Sequence, residues 1–124
     1  MILVDTSVWV DHLRSGDATL ARLLDNSAVL AHPWVIGELA LGNLSRRDEV
    51  IGLIQGLPQA MLAGDDEVLR LIELEALSGA GIGYVDAQLL ASTRLTPDAA
   101  LWTKDKRLLA VTARLGLDFR RAAR

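Results

Sequence analysis

The stretch Met1-Ile2-Leu3-Val4-Asp5-Thr6-Ser7 decides the fold. Its first residues are apolar and partly β-branched, the composition of a short buried strand. The run ends on Asp5, a charge with no place in a core. Thr6 and Ser7 are helix-cap residue types, and Val8, Trp9 and Leu13 continue at helical spacing. A strand that ends in a carboxylate and turns at once into a helix fits an α/β sheet. Ligands of open α/β sheets bind at the carboxyl edge of the strands. The remaining question is whether other carboxylates converge on Asp5.

Outward from this strand, helices and strands alternate. Ser7 to about Arg14 reads as a helix stopped at Ser15-Gly16, and Asp17 stands where the N-cap of the next helix belongs, before Leu20, Leu23 and Leu24. Ala28-Val29-Leu30-Ala31 is a second short strand, and His32-Pro33 opens a helix carrying Trp34, Val35, Leu39 and Leu41. A further helix runs from Arg46 to about Ile54, and Ala60-Met61-Leu62 is a weakly patterned third strand. Asp65-Asp66-Glu67 opens a long helix, followed by a loop with Gly79, Gly81 and Gly83 and a helix from Tyr84 to about Thr93. Leu101-Trp102 is the core of a fourth strand, Asp105 starts a helix through Leu115, and Leu117-Asp118-Phe119 has the form of a last edge strand. This alternation predicts an α/β fold with a mostly parallel sheet of four or five short strands between helical layers. No repeat or linker interrupts it, so one domain over residues 1–124 is expected, with a basic tail, Arg120-Arg121-Ala122-Ala123-Arg124, expected to fray.

Composition narrows the chemistry. The chain lacks cysteine, so disulfides and thiolate metal sites are excluded, and any metal must be held by oxygen or by His12 and His32. Oxygen ligands favour Mg²⁺ or Mn²⁺. Hydrophobic residues make up 51% of the chain and the mean hydropathy is +0.28, which implies a face covered by a partner or a second copy. Met1 begins a strand and no apolar run approaches the ~18 residues of a membrane span, so a cytoplasmic protein without membrane attachment is expected. The net charge of −3 is the opposite of a typical nucleic-acid binder. An acidic cluster offset by bound cations would account for it.

Most of the 16 acids have an ordinary role. Asp65, Asp66 and Glu67 complement a helix N-terminus, Asp48 and Glu49 belong to a charged face, Asp17 is a cap, and Asp11-His12 is a solvated helix face. His32 beside Pro33 reads as a loop histidine. Four acids are harder to place. Glu38 has Trp34, Val35, Leu41 and Gly42 as helical neighbours, which sets it on an apolar face. Asp86 has Ile82, Gly83, Leu89 and Leu90, although an acid in a first helical turn is also favoured by the helix dipole. Asp105 follows the fourth strand and falls at the same sheet edge as Asp5, where it is also a good N-cap. Asp98 precedes that strand and belongs to the opposite edge. Two carboxylates ~5 Å apart repel by about 3 kcal/mol at an effective dielectric near ~20. A cluster of four survives by taking up protons or divalent cations. Thr6, Ser7 and Thr103 can supply hydroxyls to it, or act as caps.

At this point the residues resemble a family. Val4-Asp5-Thr6-Ser7-Val8-Trp9, Gly37-Glu38-Leu39 with Gly42, Tyr84-Val85-Asp86-Ala87-Gln88-Leu89-Leu90-Ala91 and Leu101-Trp102-Thr103-Lys104-Asp105-Lys106-Arg107-Leu108 resemble, in order, the motifs of PIN-domain ribonucleases of the VapC type, the toxins of toxin–antitoxin pairs. The resemblance covers essentially the whole chain. It implies a three-layer α/β/α fold and an acidic quartet of Asp5, Glu38, Asp86 and Asp105, with Thr6 and Thr103 as supporting hydroxyls. It further implies Mg²⁺- or Mn²⁺-dependent endoribonuclease activity, a homodimer, and inhibition by a small antitoxin that occludes the pocket. Structured RNA such as tRNA is the substrate expected by analogy. Asp105 is the acid whose metal contact in such proteins is often indirect.

Hydrolysis in such a pocket would use Asp5, Glu38 and Asp86 as metal ligands, with Asp105 holding a second ion or orienting water. Lys104, Lys106 and Arg107 flank Asp105 and are candidate RNA contacts at its rim, with Arg46 and Arg47 behind them. A different class of function also has a Mg²⁺-binding acidic pocket on a parallel sheet: the receiver-like phospho-acceptor module. Asp65 would be its acceptor at a strand end. That alternative lacks the acidic pair after the first strand, lacks a lysine after the last, and leaves Glu38 without a role.

Overall fold

The structure is a computed structural model that describes residues 1–119. At its centre lies β1 (Ile2–Val4), flanked by β2 (Val29–Leu30) and β3 (Ala100–Trp102) in the order β2-β1-β3, with both pairings parallel. Leu3 and Val4 are fully buried, as are Val29, Leu30 and Leu101, so the sheet is apolar on both faces. Between β1 and β2 run α1 (Thr6–Ser15) and α2 (Ala18–Asp25). Between β2 and β3 run α3 (Pro33–Leu41), α4 (Arg47–Gln55), α5 (Asp65–Leu74) and α6 (Tyr84–Leu95), and α7 (Lys106–Arg114) follows β3. The α/β class and the alternation of elements are as the sequence predicts.

The strand count is not. Among the described residues the sheet has three strands rather than four or five. The segment Ala60-Met61-Leu62 is not a strand, and only Gln59 next to it bridges Ala31. The Ala60 amide still donates to the Ala31 carbonyl at 2.9 Å, but beyond it side chains hold the backbone. The Met61 amide donates to the Thr96 hydroxyl at 2.9 Å, while the Gln88 amide both donates to the Ala63 carbonyl and accepts from the Ala63 N–H. Met61 and Leu62 are also more than half exposed, so no buried alternation holds them in a sheet. The expected last strand is likewise a single bridge, Leu101 to Asp118, with Phe119 packed on Trp102. The basic tail at 120–124 lies outside the described residues.

Helix α6 is buried on nearly every side from Ala87 to Thr93 and packs on both α5 and β3. Its polar core residues are satisfied. His32 is fully buried rather than a loop residue, and it caps α3: its Nδ1 accepts from the Trp34 N–H at 3.0 Å. Nδ1 is therefore unprotonated, so in the neutral ring Nε2 carries the hydrogen and donates to the Ser92 hydroxyl at 2.9 Å. Ser92 in turn donates to Gln88 at 2.8 Å. Burial pushes the His32 pKa below its usual 6.5, which keeps the imidazole neutral and this chain of bonds intact. Because His32 and Gln88 sit on the elements that carry Glu38 and Asp86, the network fixes those two helices against each other.

Candidate active site

The parallel register sets Val4 beside Trp102, so Asp5 and Thr103 leave the sheet side by side. The Asp5 amide donates to the Trp102 carbonyl at 2.9 Å, the last rung of the ladder. The Asp5 carboxylate is only 6% exposed. It is tolerated there because two hydroxyls donate to its Oδ2, Ser7 at 2.7 Å and Thr103 at 2.8 Å. Each hydroxyl also accepts a backbone N–H from the loop after β3: Ser7 from Lys104, and Thr103 from Asp105, both at 3.0 Å. Both hydroxyl hydrogens point at Asp5, so the 3.3 Å approach of Ser7 and Thr103 to each other is contact without a shared proton.

The other three acids arrive from three helices. Glu38 of α3 is exposed at the rim rather than buried on the apolar face, and the Thr6 hydroxyl donates to its Oε1 at 2.6 Å. Asp86 stands in the first turn of α6, half-buried, and its Oδ2 accepts the Gly83 N–H at 3.2 Å. Asp105 is the N-cap of α7 and its Oδ1 accepts the N–H groups of Arg107 and Leu108 at 3.0 Å. The Asp86 carboxyl is pushed above its usual 3.8, first by burial and then by the charges of Asp5, Asp105 and Glu38, against the pull of the Gly83 N–H. All four acids therefore share one electrostatic neighbourhood. Asp98 lies at the opposite end of β3, where its carbonyl meets the Met1 amino group.

The four carboxylates share a second property. In each, one oxygen is engaged by a donor of the protein and the other has no donor among the described residues: Oδ1 of Asp5, Oε2 of Glu38, Oδ1 of Asp86 and Oδ2 of Asp105. Hard oxygens in this number, on a site that already resists ionisation at Asp86, suit a divalent cation by charge and by ligand type. No three acidic or histidine side chains among the described residues stand close enough to chelate one ion directly.

The basic residues separate into two groups. The Lys104 ammonium donates to Asp11 at 3.0 Å and to Asp17 at 3.2 Å. Arg46 pairs with Glu49, and Arg47 with Asp48 and the Ala40 carbonyl. Lys106 and Arg107 are exposed at the N-terminus of α7, next to Asp105. Arg107 lies across Gly81, whose φ of +82° and missing Cβ make room for it; a Cβ there would stand 2.9 Å from the Arg107 Cδ. The tie between Lys104 and two aspartates has no signal in the linear sequence, because it joins residues 93 and 87 positions apart.

A parallel α/β sheet with acids delivered to its carboxyl edge from β1, α3, α6 and the start of α7 defines a class, and the chain belongs to it: a PIN-domain family model matches residues 2–114. Two curated relatives are more specific. Both carry the name Ribonuclease VapC32, from the Mycobacterium tuberculosis strains CDC 1551 / Oshkosh and ATCC 25618 / H37Rv. Each is 51% identical over 117 residues, which cover 94% of this chain and 94% of the relative. The chain is thus a VapC-type member of the PIN-domain family. Nothing supports the receiver-like alternative: Asp65 opens α5 and accepts from the Tyr84 hydroxyl at 2.7 Å instead of ending a strand.

Proposed function

We propose that this protein is an endoribonuclease toxin that hydrolyses RNA phosphodiester bonds at the pocket of Asp5, Glu38, Asp86 and Asp105, with Mg²⁺ or Mn²⁺. The observation that carries this reading is the pattern of one held and one open oxygen on each of four carboxylates, three of which act by their charge on Asp86. When bound, a divalent cation offsets charge on the phosphate and makes water a better nucleophile near neutral pH. The protein's own part is positioning. Ser7 and Thr103 fix Asp5 through Oδ2 and leave its Oδ1 without a donor among the described residues, Thr6 fixes Glu38, and the Gly83 N–H fixes Asp86. These three acids are the proposed metal ligands. Asp105, held by its cap bonds, orients the attacking water or a second ion.

RNA must approach a negative pocket, and Lys106 and Arg107 are the exposed cations beside it; we assign them the phosphate contacts. The family resemblance further supports a structured substrate such as tRNA, a homodimer, action in the cytoplasm, and inhibition by a small antitoxin. No helix among the described residues is long and apolar enough to cross a membrane. A groove lined by Trp9, Leu13, Leu24, Val50, Leu53 and Leu57 is apolar, and Leu53 is 68% exposed, which supports a protein partner there. Trp9 itself is core, whereas Trp34 is half-buried against Tyr84.

The test is cleavage of RNA by the purified protein in Mg²⁺ or Mn²⁺, with Asp5→Asn and Asp86→Asn as controls. Cleavage is expected to vanish in EDTA and in both variants while their circular dichroism stays unchanged. Full activity in either variant, or in EDTA, would sink the proposal. Sequencing of RNA ends after induced expression then identifies the target.

A further inference from the structure

Lys104 occupies a place that a residue waiting for RNA would not. Its ammonium sits between Asp11 on α1 and Asp17 at the N-cap of α2, 3.0 and 3.2 Å away, with side chains 32% exposed for Lys104, 54% for Asp11 and 18% for Asp17. Arg46–Glu49, by contrast, is an open surface pair at 78% and 57%. What sets Lys104 apart is geometry: one ammonium bridges two carboxylates on two different elements. With two aspartates around one lysine the group carries net negative charge, so it offers no attraction to a phosphate. The other end of the same residue faces the acidic pocket. Its backbone N–H donates to the Ser7 hydroxyl, which donates to Asp5. Thr103 and Asp105, on either side, make the second hydroxyl bond to Asp5 and the cap of α7.

We propose that Lys104 is a positioning residue: its ammonium straps the loop between β3 and α7 onto α1 and α2, and so holds Ser7, Thr103 and Asp105 in register around Asp5. The strap acts through the backbone of its own residue. When it is cut, the loop from Thr103 to Asp105 loses its tie to Asp11 and Asp17 and keeps only the backbone bond to Ser7, and the two hydroxyls no longer fix one rotamer of Asp5. The charge balance agrees: the bond that Lys104 donates to Asp11 holds the Lys104 pKa above its usual value, and the Leu20 N–H, with Lys104, holds that of Asp17 below its own.

The inference rests on the ribonuclease reading for its kinetic test, and on hydrogen exchange for an independent one. In Lys104→Met, kcat for RNA cleavage is expected to fall by about ten- to a hundredfold, the cost of a small misplacement in a reacting site. KM and its salt dependence should stay put. Lys104→Arg, whose fork reaches both carboxylates, should recover most of the loss. The pair Asp11→Asn with Asp17→Asn, which keeps the cap of α2 because asparagine caps as well as aspartate, should lower kcat similarly. Adding Lys104→Met to that pair should then change little. The amides of Lys104 and Asp105 should exchange faster in Lys104→Met than in the parent protein. An RNA-contacting lysine gives the opposite pattern: KM rises, the salt slope of binding falls by about 0.7 to 0.9, kcat holds, and freeing Lys104 from its aspartates improves binding. That result overturns the proposal, as do unchanged amide exchange rates. If the parent protein cleaves no RNA at all, the ribonuclease reading fails, and the exchange rates still decide the strap.

Discussion

Replacing Thr103 by valine tests the hydroxyl relay at Asp5 with almost no change of shape. Thr103 is 3% exposed, and its hydroxyl donates to the Asp5 carboxylate at 2.8 Å and accepts the Asp105 N–H at 3.0 Å. Valine puts a methyl group where the oxygen stood, so packing is retained and only the two bonds are lost. A hydrogen bond to a charged group contributes about 1.5–3 kcal/mol, and a donor left without a partner costs about 1–3 kcal/mol more. Asp105 is exposed, so water recovers much of the second quantity. Asp5 is 6% exposed and keeps only the Ser7 hydroxyl, so the first is felt nearly in full. The expected loss is therefore about 2–4 kcal/mol, read as a lower urea midpoint at unchanged slope. Thr103→Ser keeps the hydroxyl and should lose under about 1.5 kcal/mol, the usual cost of a buried methyl group. Both should be measured by circular dichroism at pH 7 in EDTA. If Thr103→Val lies within about 0.5 kcal/mol of the parent, or no lower than Thr103→Ser, the relay does not hold Asp5 and the reasoning is wrong.

Two further predictions concern titration. The Asp86 carboxyl is raised above 3.8 in the folded protein, so as pH rises the unfolded chain releases this proton first and the group works against folding above that range. Asp86→Asn in EDTA at pH 7 should therefore melt higher than the parent. A divalent cation at a hundred times its Kd should stabilise the parent by about 2.7 kcal/mol and the variant by clearly less; equal stabilisation in a calorimetric scan would remove Asp86 from the ligand set. His32 has the reverse linkage. Its folded pKa lies below 6.5, so the stability it supplies as a neutral residue is complete above pH 6.5 and is lost as pH falls below that value toward the folded one. Melting curves at pH 7.5 and 5.5 should show this loss in the parent and a smaller one in His32→Gln; parallel losses would place the acid sensitivity elsewhere.

Much of the fold and of the pocket was legible in the chain itself, for a physical reason. Strands β1 and β3 announce themselves because each is an apolar run that ends abruptly in polar residues, and parallel pairing then forces Asp5 and Thr103 to one edge. Asp86 was legible because a charge among Ile82, Leu89 and Leu90 conflicts with helical periodicity, and the structure confirms its partial burial. The same logic misjudged the setting of Glu38, which reaches solvent at the rim where Thr6 holds it. Ala60-Met61-Leu62 misled because apolar composition does not say how far strand pairing runs: it stops after the bond from Ala60 to Ala31, and the Thr96 hydroxyl takes the Met61 amide.

The sequence by itself determined the alternation of elements and the carboxyl-edge position of Asp5. These follow from local patterning and from the fixed direction of parallel strands. Only the tertiary structure decided which oxygen of each acid is held and which is open, that His32 is buried beneath α6, and that Lys104 is bound by Asp11 and Asp17. Those outcomes depend on side chains that meet from distant parts of the chain. Hydrogen bonds and ion pairs are short-ranged and directional, so no spacing along the sequence encodes them until packing has brought the partners together.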